Sequence, residues 1–183
     1  MSINCNPFPV INTMRLLLRQ MNLNDIDQIF LLRSDPRVLH YLGRAPESSR
    51  ETAKKYLHDI RELENNGEAI TWGITVEKSN KVVGTICYWH LQPLHQRAEI
   101  GYALHPDHQG KGYMEEAMKA VLDYGFNTLH FHSIEADVDP NNLASIKLLL
   151  RNRFVKEAHF RENYFYNGNF FDTAVYTLLN PGE

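Results

Sequence analysis

Two stretches of the chain carry residue types whose spacing could do chemistry. The first is "HPDHQGKGYM", residues 105–114, where Gly110 and Gly112 flank Lys111 and follow Gln109. An apolar rhythm of Met114, Ala117, Met118 and Val121 begins directly after it, so the glycines read as a turn opening a helix. Two small residues let the backbone come close to an anion. Successive N–H groups and the helix dipole face that anion, and Gln109 and Lys111 can add a donor and a charge. The set suits a pyrophosphate, although the same glycines also serve a tight strand-to-helix turn that holds nothing. The second stretch is "RAEIGYAL", residues 97–104. Its alternation puts Glu99 with Gly101 and Ala103 on one face, and Ala98, Ile100, Tyr102 and Leu104 on the other. Small neighbours leave room for a ligand beside the Glu99 carboxylate. The plain alternative is an outward-facing strand carboxylate, or one paired with Arg97.

Other readings of the glycine turn fail on residues. A dinucleotide fingerprint G-x-G-x-x-G wants a third glycine where Glu115 stands, and no G-x-x-x-x-G-K-[ST] run occurs. His105 and His108 are spaced like ligands, but Pro106 and the loop setting spoil a helical pair. Neither has a Cys or carboxylate partner in a recognised metal spacing, so no metal is expected.

The elements that must position these residues follow from periodicity. "RLLLRQM" (15–21) reads as a first strand. "NDIDQIFLLRSD" (24–35) reads as a helix capped by Asn24, with Ile26, Ile29 and Phe30 on one face. "SSRETAKKYLHDIRELENNG" (48–67) is a stronger helix: Ser48 and Glu51 have capping-box spacing, and Ala53, Tyr56, Leu57 and Ile60 form the stripe. The period then shortens. "ITWGITVE" (70–77) alternates with Trp72, Ile74 and Val76 on one face, "VVGTICYWHL" (82–91) suits a central strand, and 97–104 follows. After the glycine turn a helix runs to about 129. A strand (133–139), a short helix (140–152) and two strands (154–166 and 170–179) around "NGN" complete the order. Strands in runs with helical crossovers indicate an α+β fold with a mixed, mostly antiparallel sheet. One domain is expected over 1–183, with its core at about 14–180.

Composition narrows the class. The formal charge of −3 argues against general nucleic-acid binding, which leans on Lys and Arg. No stretch approaches the roughly 20 apolar residues of a membrane span. "MSINCNPFPVINTM" lacks the pattern of a signal peptide, and Cys5 and Cys87 could make one bridge at most. The expected location is the cytoplasm.

Three motifs, in order, resemble one family; the first contains both stretches above, save Arg97. "AEIGYALHPDHQGKGYMEEAMKAVLDYGF", "NNLASIKLLLRNRF" and "RENYFYNGNFFDTAVYTLL" are similar to the core, the N-x-x-S helix and the C-terminal hairpin of the Gcn5-related N-acetyltransferases. Within that family they are closest to the branch that acetylates ribosomal-protein N-termini and related amines. The resemblance implies a sheet splayed between the strands at 98–104 and 133–139, with acetyl-coenzyme A in the splay. It implies coenzyme contacts from the backbone around Tyr102, Ala103 and Leu104, from the loop Gln109, Gly110, Lys111, Gly112, Tyr113 and Met114, and from the Asn142 side chain. Many branches place a Tyr four residues after the Ser; here that position is Leu149, so Ser145 is the expected partner of the departing sulfur. Asn-x-x-Ser is also simply a good helix start.

Acetyl transfer needs a neutral amine, a donor for the developing oxyanion and, for the thiolate, a proton or hydrogen bond. Glu99 is then the candidate base, directly or through water. Tyr164, Phe165 and Tyr166, and the loop "HYLGRAPES" (40–48), are candidates to wall the acceptor. The sequence departs from the family at Met114, Glu115 and Arg153: the first is usually small, the last is usually Gly, and Glu115 brings a negative charge expected to point away from the pyrophosphate. The implied activity is direct transfer to a primary amine such as a protein N-terminal α-amine. The alternatives are a small-molecule amine acceptor or a non-catalytic acyl-coenzyme A-binding module. A homodimer through the C-terminal strands is open, since burial within one chain explains their apolar residues equally well.

Overall fold

The computed structural model describes residues 5–76 and 79–182. Its strands are Ile11–Asn12 (β1), Leu16–Gln20 (β2), Ile70–Val76 (β3), Val82–Gln92 (β4), Arg97–Leu104 (β5), Ser133–Val138 (β6), Val155–Tyr166 (β7) and Asn169–Leu179 (β8). The α-helices are Ile26–Ser34 (α1), Pro36–Leu39 (α2), Arg50–Asn65 (α3), Tyr113–Asn127 (α4) and Leu143–Arg151 (α5). All the strands join one sheet in the order β1-β2-β3-β4-β5-β6-β8-β7. Among these neighbours only β5 and β6 run parallel. The α+β architecture read from the sequence is therefore the observed one.

Two apolar layers clamp the sheet. One holds Trp72, Ile74, Ile100, Met118, Val121 and Leu149, joining β3 and β5 to α4 and α5. The other joins Ile29 of α1 and Ala53, Leu57 and Ile60 of α3 to Met21 and Val82. This second layer explains a departure from simple alternation. Trp72, Ile74 and the half-buried Val76 share the α4 side as expected, yet Thr71 and Thr75 are buried as well, because α1 and α3 cover the other face.

Local chemistry moved two helix starts. The cap of α3 is Ser49, not Ser48: its hydroxyl accepts from the Thr52 N–H, and the Thr52 hydroxyl accepts from the Ser49 N–H. Adjacent serines offer the same cap, and Thr replaces Glu51 in the reciprocal bond. Asn22, not Asn24, caps a 3₁₀ turn at Leu23–Asp25 that precedes α1. Asp25 is buried there and takes a two-pronged hydrogen bond from Arg19, at 2.8 Å to each oxygen. Strand β1 and the single turn α2 are too short to leave a periodic signal.

The feature that builds the site is a parting of strands. β5 and β6 pair only at Arg97↔Ser133, Ala98↔Ile134 and Glu99↔Glu135. Beyond Glu99 they separate, while β4 keeps pairing with β5 as far as Leu104. The backbone groups of β5 that point away from β4 in this stretch have lost their strand partner, and a buried or ligand-facing amide needs one.

Candidate active site

Glu99 is the last β5 residue paired with β6, so its side chain stands where the splay opens. Gly101 and Ala103 follow on the same face, as the alternation requires. A Cβ at Gly101 would lie 3.2 Å from the Cys87 sulfur and 3.5 Å from the Trp89 indole nitrogen, so glycine keeps this wall open. The Glu99 carboxylate is only 12% exposed. Its Oε2 lies 2.8 Å from Nδ1 of His90. Burial raises its pKa above the ordinary carboxylate value; the His90 hydrogen bond works against that, and the nearby Asp137 charge adds to it. A carboxylate so placed can accept a proton near neutrality more readily than a solvated one. Arg97 pairs with Glu135 of β6 and not with Glu99. The plain ion-pair alternative for Glu99 is thereby removed.

His90 reaches Glu99 through a break in the ladder. Trp89 sits opposite Glu99, so strict alternation would send His90 to the other face. The register slips between Trp89 and Gln92, and His90 takes the left-handed region at φ 44. A β-bulge re-aims a side chain in this way. The imidazole then stacks on the Trp89 ring, with centroids 3.9 Å apart. Periodicity carries no trace of such a slip, which is why sequence reasoning missed His90.

Across the splay, Asn142 caps α5 by accepting the Ser145 N–H at 3.1 Å. Its side-chain oxygen is thus committed to the helix start, and its NH₂ is left to donate. The Ser145 hydroxyl meets the Tyr102 hydroxyl at 2.6 Å. Burial pushes the Tyr102 phenol up to about 12, partly offset by the hydrogen bond to Ser145. Either hydroxyl can donate in this pair; the phenol, still far more acidic than an alkyl hydroxyl, is the favoured donor, which leaves the serine proton free to point elsewhere. Leu149, at the position where a Tyr could have stood, is buried in the core. The Tyr102 hydroxyl was the second functional group missed. The available signal was a tyrosine in an otherwise aliphatic row, because a buried phenol must find a partner.

The glycine turn forms as read. Gly110 and Gly112 adopt φ 73 and 77, a region costly for other residues, and Gly112 is the N-cap of α4. Apart from its chain neighbours, no atom of the described residues lies within 4 Å of where a Gly110 Cβ would be, so the turn is open on that side. The first ladder bond into α4 is from the Glu116 N–H to the Gly112 carbonyl, which leaves earlier N–H groups to face an anion. Arg15 braces the turn: its Nη1 donates to the Lys111 carbonyl at 2.9 Å, and its Nε pairs with Glu116 at 2.7 Å. The Gln109 amide donates to the Leu104 carbonyl at 3.0 Å, and the Lys111 ammonium to the Asp107 carbonyl at 2.8 Å. Both side chains therefore shape the turn. Tyr113 lies under the Arg15 guanidinium, 4.9 Å from ring centroid to Cζ, and Met114 packs into the core.

A cavity of about 830 Å³ joins most of these groups. Glu99, Gly101, Tyr102, Ala103, Asn142 and Ser145 line it from the splay. At the other end it is lined by α1, α3, the 40–44 loop, and Tyr164 and Tyr166 of β7. Phe165 points elsewhere and is exposed. The glycine turn, which follows the C-terminal end of β5, is not among the residues that line this cavity. Among the described residues no three His, Cys, Asp or Glu side chains converge as metal ligands.

The acetyltransferase (GNAT) domain family model matches residues 15–155 of this chain. The chain belongs to the GNAT acetyltransferase family. It is 36% identical over 176 residues to YoaA of Bacillus subtilis, an uncharacterized N-acetyltransferase, covering 96% of this chain and 99% of that one. It is 28% identical over 170 residues to a spermidine N(1)-acetyltransferase of Vibrio cholerae, covering 90% and 93% respectively. A solved structure of RimL, a ribosomal L7/L12 α-N-protein acetyltransferase in complex with coenzyme A, superposes with a TM-score of 0.83. That pair is 21% identical over 96% of this chain and 100% of the other, a likeness of fold. The protein is an acetyl-coenzyme A-dependent N-acetyltransferase.

The three departures from the family pattern leave the GNAT geometry standing. Glu115 is drawn off by Lys119 at 3.0 Å and Arg151 at 2.8 Å, and both lower its pKa. Met114 spends its bulk in the core. Arg153 adopts φ 67, so the chain makes a left-handed turn after α5 without the usual glycine.

Proposed function

We propose that this GNAT enzyme acetylates the α-amine of a protein or peptide N-terminus by direct attack on the bound thioester. One observation carries the reading: Glu99, Tyr102 and Ser145 line one cavity where β5 and β6 part. The coenzyme supplies an activated acetyl group, and its residues of attachment are read as the β5 backbone at Tyr102, Ala103 and Leu104, the Asn142 amide, and the turn Gln109–Met114. Glu99 takes the proton from the incoming ammonium, and His90 holds the carboxylate and passes the proton towards solvent. Ser145, steadied by Tyr102, donates to the departing sulfur.

The size of the proton problem favours an α-amine. Its pKa of about 8 leaves it partly neutral near pH 7, whereas an alkylammonium at about 10.4 does not. A single buried carboxylate suits the easier task. Acetyl transfer would be measured on a panel of N-terminal peptides, lysine peptides and spermidine, beside calorimetric titration with acetyl-coenzyme A, coenzyme A and NAD. Transfer to the N-terminal peptides with the highest kcat/KM supports the reading. Coenzyme binding with transfer only to polyamines would replace it with a small-amine acceptor.

A further inference from the structure

Among the described residues, one cation in the cavity makes neither a hydrogen bond through its Nε nor an ion pair. Arg44 lines the cavity from the 40–48 loop, and that loop is anchored on both sides of it: the Tyr164 hydroxyl donates to the Gly43 carbonyl, and the Glu47 N–H donates to the Arg33 carbonyl at 3.1 Å. The Arg44 Nε is buried without any hydrogen-bond partner. Among the described residues no carboxylate lies within ion-pair distance of its guanidinium. Its neighbour Arg33, also on the cavity wall, is already satisfied by Glu47 at 2.8 Å and by the Tyr56 ring at 3.5 Å. Arg33 is balanced by Glu47, so Arg44 brings a further positive charge to this wall; Asp172, also on the lining, is paired with His159 and accepts from the Glu162 N–H. Burial, together with the Arg33 charge, pushes the Arg44 pKa down; the Glu47 charge, spent in its hydrogen bond to Arg33, works against this without reversing it. At the splay end stand Glu99 and Asp137. Cys87, Glu99 and Arg44 all line this cavity, and the buried thiol feels both charges, so the two opposite charges face one shared space.

We propose that the acceptor is an amine that carries a carboxylate, its amine at Glu99 and its carboxylate on Arg44. A free amino acid and a chain end with an acidic side chain present the same pair of charges. A polyamine instead brings only positive charge towards Arg44. This inference rests on the acetyl-transfer reading for the placement of the amine.

The test compares matched acid and amide acceptors: free amino acids against their α-amides, and N-terminal peptides with Asp or Glu against Asn or Gln. A charge-assisted hydrogen bond predicts a preference for the acid of roughly tenfold to a hundredfold in kcat/KM. Arg44→Met should lower kcat/KM for the acid at least about tenfold more than for its amide, and Arg44→Lys should keep part of the preference. Whichever set shows the larger effect identifies the source of the carboxylate. Equal use of acid and amide, or a preference that survives in Arg44→Met, overturns the inference even if the enzyme acetylates amines. If no amine is turned over, the acetyl-transfer reading fails. Calorimetric binding of the same pairs then still decides Arg44: tighter binding of the acid, lost in Arg44→Met, sustains its role, and no difference rejects it.

Discussion

Replacing Glu99 with Gln tests the chemistry at its centre, and its expected size follows from the proton that must leave. Gln keeps the shape and can still meet His90, so the cavity is preserved. What is lost is a proton acceptor beside the amine. At pH 7 an α-amine with a pKa of about 8 is roughly one-tenth neutral, and an alkylammonium of about 10.4 is neutral in about 0.04% of molecules. If Glu99 acts only before attack, Glu99→Gln costs an α-amine substrate about tenfold in kcat/KM at pH 7 and an alkylamine on the order of a thousandfold. At pH 9 an α-amine is about nine-tenths neutral, so the loss should all but vanish, because solvent has then done the work. If proton transfer occurs in the transition state itself, a loss of roughly 10² to 10⁴ persists at both pH values. The acid limb of the wild-type profile reports the same group: activity falls as pH drops through the Glu99 pKa, which burial has raised. His90→Ala removes an interaction that lowers this pKa, so the limb moves to higher pH; Asp137→Asn removes one that raises it, so the limb moves to lower pH. The assay is initial-rate acetylation from pH 5 to 10. Unchanged turnover in Glu99→Gln at pH 7, or limbs that stay put in both neighbours' variants, refutes Glu99 as the base.

Ser145→Ala is expected to lower kcat by roughly ten- to a hundredfold while acetyl-coenzyme A still binds, since only a donor to the leaving sulfur is lost; single-turnover rates beside calorimetry separate the two. Gly112→Ala puts a Cβ at φ 77 and 3.3 Å from the Arg15 Nη2, so it should destabilise the turn by about 1–2 kcal/mol and weaken coenzyme binding, read by thermal melting and titration. Arg153→Gly relieves a left-handed residue at φ 67 and should raise stability by about 1 kcal/mol, or Tm by about 2–4 °C, with turnover untouched. A melting point that falls in this last variant would show that the Arg153 side chain contributes more than its backbone costs.

What the sequence determined by itself was whatever depends on local pattern. Alternation in 97–104 fixed the face of Glu99 beside Gly101 and Ala103, because successive strand side chains must oppose one another. Gly110 and Gly112 announced their turn because few other residues accept its backbone, and the apolar stripe after them fixed α4. Motif order gave the family, and with it the splay that the β5–β6 register displays. Even so, adjacent serines could not choose the α3 cap, since both offer the same hydroxyl. Tertiary structure alone decided the partners. His90 faces Glu99 only because the β4 ladder slips, Tyr102 meets Ser145 only across parted strands, and Arg97 goes to Glu135 instead of Glu99. Among the described residues the Arg44 Nε has no hydrogen-bond partner, while the nearby Glu47 is hydrogen-bonded to Arg33. Each of these turns on which distant groups the fold brings within a hydrogen bond's length. A one-dimensional pattern encodes the face a side chain takes, and the identity of its partner across the sheet is settled by packing.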